Sequence, residues 1–222
     1  MPLFDDWPDR YAAWFATPIG RLILEIETGH VLDLLRPRAG ECLLDAGCGS
    51  GLFTAPVLAR GARVVGLDPS LPMLSAARAA LSGEFTTVAG DLRALPFADD
   101  RFDRVMSVTA LEFVTDGRRA MRELFRVTRP GGTVVVATLN RLGPWARRRL
   151  QRAESDPSSL FRHARFRSPA ELAALAPQDG EIRTAIHFTK NAVPEAARAT
   201  EREGAALDPE SGAFVVGAWR RP

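Results

Sequence analysis

Lysine is almost missing from this chain: Lys190 is the only one in 222 residues, and arginine supplies the rest of the positive side-chain charge. Alanine, proline and glycine are abundant at the same time, the pattern of a GC-rich coding bias. An arginine cluster is therefore poor ground for a polyanionic partner, and a net charge of only +2 does not favour a nucleic-acid binder. Cysteine is scarce too. Cys42 falls on an expected strand and Cys48 inside a glycine turn, which argues against a disulfide, and two thiols are too few for a cysteine-rich zinc site. No metal is expected. Long apolar runs are absent; the purest, Val134-Val135-Val136-Ala137, has the length of a strand and falls far short of the ~18 residues of a membrane span. The first residues carry Asp5, Asp6 and Asp9 where a secretory signal would have basic residues and an apolar run, so a reducing cytoplasm is the expected location. No repeat or low-complexity tract is present.

What the chain does have is the composition of an ordinary globule, 46% apolar and 25% charged, with length enough for one good core. Residues 1–222 read as one domain. Residues 1–40 form a helical cap, with an aromatic amphipathic helix over Asp9 to Phe15 and a second over about Leu22 to Leu35, broken between them at Thr17-Pro18. From Glu41 onward, strands at 42–46, 63–67, 85–89, 103–108 and 133–139 alternate with helices over about 51–60, 70–81 and 116–128. Single helices between strands call for crossover connections and hence a doubly wound parallel sheet with helices on both faces. Residues 141–168 look arginine-rich and irregular, Ser168 to Ala176 a capped helix, 181–188 a strand, 190–211 a partly helical insertion, and 214–219 a final strand. The last two strands lack glycine-rich turns and are expected to pair antiparallel at one sheet edge, making seven strands in all.

The most informative stretch is Leu43-Leu44-Asp45-Ala46-Gly47-Cys48-Gly49-Ser50-Gly51. An apolar strand ends in an acid and then bends through three glycines, where bare backbone can take positive φ and let a ligand lie close. A phosphate-binding turn would not want that acid. It suits a ligand carrying an ammonium or sulfonium group, and S-adenosylmethionine carries both. The dinucleotide fingerprint G-x-G-x-x-G fails here, because its sixth position is Leu52. Other polar residues fall at the carboxyl ends of successive strands, where open α/β sheets bind ligands: Asp68, Asp91 and Ser107.

Together with Gly66-Leu67-Asp68-Pro69-Ser70, Ala89-Gly90-Asp91-Leu92, Phe102-Asp103-Arg104-Val105 and Arg129-Pro130-Gly131-Gly132, the Asp-x-Gly-x-Gly-x-Gly pattern resembles the class I S-adenosylmethionine-dependent methyltransferases. Their small-molecule branch (type 11), which includes quinone C-methylating enzymes, is the most similar. The resemblance spans about residues 41–140, the expected cofactor-binding core, and implies a Rossmann-like, doubly wound, seven-stranded sheet with a reversed final hairpin. It also implies roles for residues. Asp45 and the backbone of Gly47, Cys48, Gly49 and Gly51 would hold the methionine part of S-adenosylmethionine. Asp68 would take the ribose diol, Pro69 and Met73 would flank the adenosine, Asp91 with Leu92 would bind adenine, and Ser107 would lie by the sulfonium.

Two departures stand out. Pro56 falls inside the expected first core helix and should bend it, and Glu112 stands where many relatives have histidine. On the acceptor side, Glu112 and Tyr11 are the candidate catalytic groups, and 141–168 with 190–211 the candidate lids over a small-molecule acceptor. The arginines of 141–167 would suit an anionic acceptor or peripheral contact with a lipid surface. The competing readings are a nucleic-acid-modifying or nucleic-acid-binding protein, a nicotinamide-dependent oxidoreductase on a related sheet, and a cofactor-binding protein without catalysis.

Overall fold

The computed structural model describes residues 3–222. Two helices come first, α1 (Pro8–Ala16) and α2 (Pro18–Leu35). They are separated where Thr17 leaves the helix, accepts a bond from the Gly20 amide at 3.1 Å and puts Pro18 at the first position of α2, where its missing N–H costs nothing. The core follows as β1 (Cys42–Ala46), α3 (Thr54–Leu58), β2 (Arg63–Asp68), α4 (Leu71–Ala80), β3 (Phe85–Ala89), β4 (Phe102–Val108), α5 (Gly117–Val127) and β5 (Thr128–Leu139). The remainder is α6 (Ala146–Ser155), α7 (Pro169–Ala173), β6 (Glu181–Ala185), α8 (Pro194–Leu207) and β7 (Phe214–Arg220). None of the described helices is long and apolar enough to cross a membrane.

The strands form one sheet in the order β3-β2-β1-β4-β5-β7-β6. The first five are parallel, while β7 runs antiparallel to both β5 and β6. Alternation along each strand feeds two cores. Leu43, Met106, Val135, Phe214 and Val216 point to the face covered by α2, α3 and α8. Leu44, Val105, Val134, Val136 and Val215 join Met121 and Leu124 of α5 on the other face. The sheet order reverses at β1, whose neighbours are β2 on one side and β4 on the other, so a crevice opens at the carboxyl ends of these strands. At the opposite ends the polar groups satisfy each other: Arg104 pairs with Glu41 at 2.6 Å, and Asp103 accepts from the Cys42 amide at 2.6 Å.

Three expectations need correction. The first core helix is short, and Pro56 sits within its opening turn instead of bending a longer helix. Arg-rich residues 146–155 are helical, not irregular; arginine is a good helix former, and Trp145 anchors the segment by donating to the Phe188 carbonyl at 2.7 Å. The strand expected at 181–188 stops at Ala185. Ile186 takes φ of +67°, and Glu201 of α8 accepts the amides of Ile186 and His187, drawing the chain off the sheet.

Candidate functional site

The crevice widens into a cavity of about 1100 Å³. Its two ends differ in construction. One is the turn after β1. Gly47 takes φ of +83° and Gly49 φ of +52°. The Gly47 and Cys48 amides donate to the Leu67 carbonyl at 2.6 and 3.0 Å, which tethers the turn to β2. A side chain at Gly47 would collide with Ala110, whereas at Gly49 it would enter open space. Gly49 thus presents bare backbone to the cavity, the close approach that only glycine permits.

Asp45 lies beneath this turn, only 2% exposed, and accepts from the Thr54 hydroxyl at 2.6 Å. Burial pushes its carboxyl up to about 7, with Asp68 adding repulsion and the Thr54 bond opposing both. Such an acid is ready for a cation: a positive group in the cavity restores the charge that burial disfavours. Asp68 is also buried, and burial raises it despite two backbone bonds, from Ser70 to Oδ1 and from Gly49 to Oδ2, each 2.9 Å. It therefore staples the glycine turn to the start of α4 while keeping lone pairs free on both oxygens.

Cys48, Pro69, Met73 and Leu92 line the same end. Burial drives the Cys48 thiol far up, with Asp45 and Asp68 reinforcing it, so the residue acts as a small apolar surface and not as a nucleophile. Asp91 lines the cavity as well, but its carboxylate is engaged by Arg93, whose Nε lies 3.0 Å from each of its oxygens; this pairing holds Asp91 below the ordinary carboxylate range.

Two expected residues sit elsewhere. Gly51 is off the cavity wall: its φ of +86° serves the turn, and a side chain there would strike Leu81. Ser107 is fully buried in β4, its Oγ without a partner, and it does not reach the cavity because the alternation of the strand turns it away. Thr109 and Ala110 take the wall position instead. Thr109 has φ of +49°, a strained setting for a β-branched residue, and donates its amide to the Ala137 carbonyl at 2.9 Å.

The other end is aromatic. Trp14 and Trp145 meet edge to face at 6.2 Å, and Tyr11 packs on Phe15 at 5.0 Å. Desolvation raises the Tyr11 phenol well above its usual range, opposed by a hydrogen bond with Thr109. Glu112, in the short turn after β4, is 1% exposed and not the exposed helix-start acid its sequence position suggests. Its Oε2 accepts from the Thr138 hydroxyl at 3.0 Å and its Oε1 has no partner among the described residues. Burial raises it to about 6, tempered by that bond and by Arg167 and Arg149. The N-terminal segment closes over this region: Phe4 stacks edge-on against Phe113 at 4.8 Å, and Asp5 accepts from the Ser70 hydroxyl at 2.7 Å.

Arg149, from the arginine-rich stretch, also lines this end, as does Glu27, which has no counterpart among the sequence candidates. Glu27 is 6% exposed, and burial lifts it to about 8 against the pull of Arg149. Its signal was available: Ile23, Glu27 and Val31 share one face of α2, so a charge interrupts an apolar stripe. Arg149 is brought down to about 10 by burial, and its Nη1 has no partner among the described residues.

The family described as "Methyltransferase domain" matches residues 44–136, the stretch that holds the glycine turn and the ends of β1 to β4. Residues 44–136 are thus similar to methyltransferase domains. Curated relatives match about half of the chain. A malonyl-[acyl-carrier protein] O-methyltransferase of Pseudescherichia vulneris is 43% identical over 111 residues, which is 48% of this chain and 44% of the relative. A demethylmenaquinone methyltransferase of Renibacterium salmoninarum is 39% identical over 107 residues, or 48% and 45%. The matched stretch thus spans less than half of those relatives. Among solved structures, an S-adenosylmethionine-dependent methyltransferase of Thermotoga maritima, described as a possible histamine N-methyltransferase, superposes with a TM-score of 0.73 at 23% identity over 99% of this chain and 98% of that one. The seven-stranded, mostly parallel sheet therefore shares the fold of that solved structure, with the matched residues 44–136 at its centre.

Proposed function

We propose that this protein is an S-adenosylmethionine-dependent methyltransferase acting on a small-molecule acceptor. The observation that carries the reading is the buried Asp45 beneath a glycine turn whose bare backbone faces the cavity. The donor fits that end: Asp45 and the turn take its ammonium-bearing methionine part, Asp68 with its free lone pairs the ribose diol, Pro69 and Met73 the adenosine, and Leu92 the adenine face. Asp91, held by Arg93, contributes to the adenine site only by sharing its carboxylate. Gly51 supports the turn from behind, and Ser107 supports β4 from the core. A cavity of about 1100 Å³ exceeds the ~300–1,000 Å³ of pockets built for one ligand, so an acceptor fits beside the donor.

When bound, the donor supplies an electrophilic methyl carbon whose bond to sulfur breaks with the electron pair staying on sulfur. The chain's own residues align the acceptor behind that carbon, and orientation of this kind is worth ~7–11 kcal/mol. Glu112, ionised above about pH 6 and holding Oε1 free, accepts the proton that a protic nucleophile loses as its new bond to carbon forms. Tyr11, protonated throughout the physiological range, donates or packs but does not serve as a base. Phe4, Asp5 and Phe113 keep water out by holding the N-terminal segment down.

The whole chain is read as one unit, with 1–40 as cap and 141–168 with 190–211 over the acceptor, in a reducing compartment consistent with two free thiols. The nicotinamide and nucleic-acid alternatives have no comparable support. Isothermal titration tests the reading: S-adenosylhomocysteine binds at micromolar or better affinity and NAD(H) does not. The reverse result would overturn it.

A further inference from the structure

Four cations converge at the aromatic end of the cavity from two segments far apart in sequence. Arg148, Arg149 and Arg152 come from α6, and Lys190, the lone lysine of the chain, comes from the loop before α8. Lys190 Nζ stands 5.3 Å over the Trp14 ring, and the Arg149 guanidinium lies 5.1 Å over Trp145 and 5.5 Å over Phe161. Their mutual repulsion is visible. Lys190 is lowered by its own burial and then by Arg148, Arg152 and Arg149. Arg149 is lowered by burial even though Glu27 and Glu112 pull the other way. Of the acids at this end, Asp156 is 3.5 Å from Arg152, and Glu27 is largely protonated at neutral pH. The cations therefore outnumber the ionised acids around them. Arg149 Nη1 is buried without a hydrogen-bond partner among the described residues, a costly arrangement for a charged donor unless a ligand completes it. A coding bias toward arginine does not account for a lysine in the cluster or for stacking on facing aromatic rings.

We propose that this end of the cavity binds the anionic group, a phosphate or carboxylate, of an acceptor whose apolar body lies among Trp14, Trp145 and Phe161 and whose methyl-receiving atom faces Glu112. The inference rests on the methyltransferase reading for the role of that atom, but the anionic subsite itself does not. Cations stacked on aromatic rings are held in place before a ligand arrives, which favours a charged head joined to a flat or aliphatic body. A cationic acceptor would meet Lys190 and three arginines at this end.

The test is titration of the full chain, monitored by tryptophan fluorescence and calorimetry, with n-octyl phosphate, n-octanol and octyltrimethylammonium, with and without S-adenosylhomocysteine. The phosphate should bind at least about tenfold more tightly than the alcohol, and the ammonium should not compete with it. Arg149→Gln should remove most of that preference, and Lys190→Gln, a milder change nearer the surface, should weaken it while the circular dichroism spectrum stays unchanged. Equal affinity for phosphate and alcohol, or preference for the ammonium, would overturn the proposal. So would binding to vesicles of anionic phospholipid with none to octyl phosphate, since the cations would then serve a lipid surface. Failure of S-adenosylhomocysteine to bind while octyl phosphate still does would sink the methyltransferase reading and leave the anionic subsite standing.

Discussion

The glycine-turn end of the cavity is built from the ends of neighbouring strands within residues 45–92, whereas the aromatic end gathers Tyr11, Glu27, Glu112, Arg149 and Lys190 from five separate parts of the chain. The first end uses backbone shape and two acids already partnered by Thr54, Ser70 and Gly49. The second leaves polar atoms unpartnered on Glu112 and Arg149. The difference has a chemical sense. A site for an invariant ligand can be fixed by local turn geometry, while a site for a particular acceptor needs side chains that vary independently of the sheet.

The comparison is broken most sharply at Glu112. If the aromatic end does the acceptor chemistry, Glu112→Gln lowers kcat by roughly 10²–10⁴-fold for a protic acceptor and leaves S-adenosylhomocysteine affinity unchanged, as steady-state kinetics and titration would show. A loss confined to cofactor affinity would reverse the assignment of the two ends.

Asp45→Asn should have the opposite profile, weakening binding of S-adenosylhomocysteine by about 2–5 kcal/mol in calorimetry because a buried cation loses its counter-charge. The pH dependence follows from its carboxyl at about 7. A bound ammonium favours the ionised form, so wild-type affinity falls as pH drops below about 7, by at most about tenfold per unit, and the variant loses this segment of the profile. Stability without ligand moves the other way. The folded-state value is raised above the unfolded one, so the stabilisation present below about pH 4 is lost as pH rises through about 7. The unliganded Asp45→Asn protein should therefore be more stable than wild type at pH 8, by at least about 1 kcal/mol in denaturant titration.

Asp68→Ala sharpens the picture of the turn. It should cost more than about 1.5 kcal/mol in cofactor affinity, since a charged acceptor is lost and the Gly49 amide loses its tether. Slower backbone exchange at Gly49 in the variant would contradict the stapling role. The smallest effect is expected at Ser107. Its hydroxyl has no partner and lies off the cavity, so Ser107→Ala should change neither titration nor melting by more than about 0.5 kcal/mol.

Much of the glycine-turn end could be read from the chain itself, because β1, the turn and the acids at the ends of β1 and β2 are set by short stretches of sequence. Strand β1 lies at Cys42–Ala46 and β3 at Phe85–Ala89, as their apolar runs and flanking breaks predict. Ser107 shows where such reading fails. It does stand near the end of β4, but which face of the strand it occupies depends on register against β1 and β5, and that register turns it inward. Helix α6 shows another limit. Four arginines in Ala146–Ser155 look like a solvated stretch, until Trp145 docks on the Phe188 carbonyl and brings one helix face over the cavity.

What the amino-acid order determined alone is the doubly wound sheet, the acid-fronted glycine turn and the carboxylate at the end of β2, all products of local periodicity and backbone freedom. The tertiary structure decided which acids lose their water. Glu112 and Glu27 become titratable near neutrality, and Arg149 becomes a half-buried cation whose Nη1 lacks a partner among the described residues, only because helices distant in sequence pack over the ends of the sheet and remove the solvent that would otherwise level their charges.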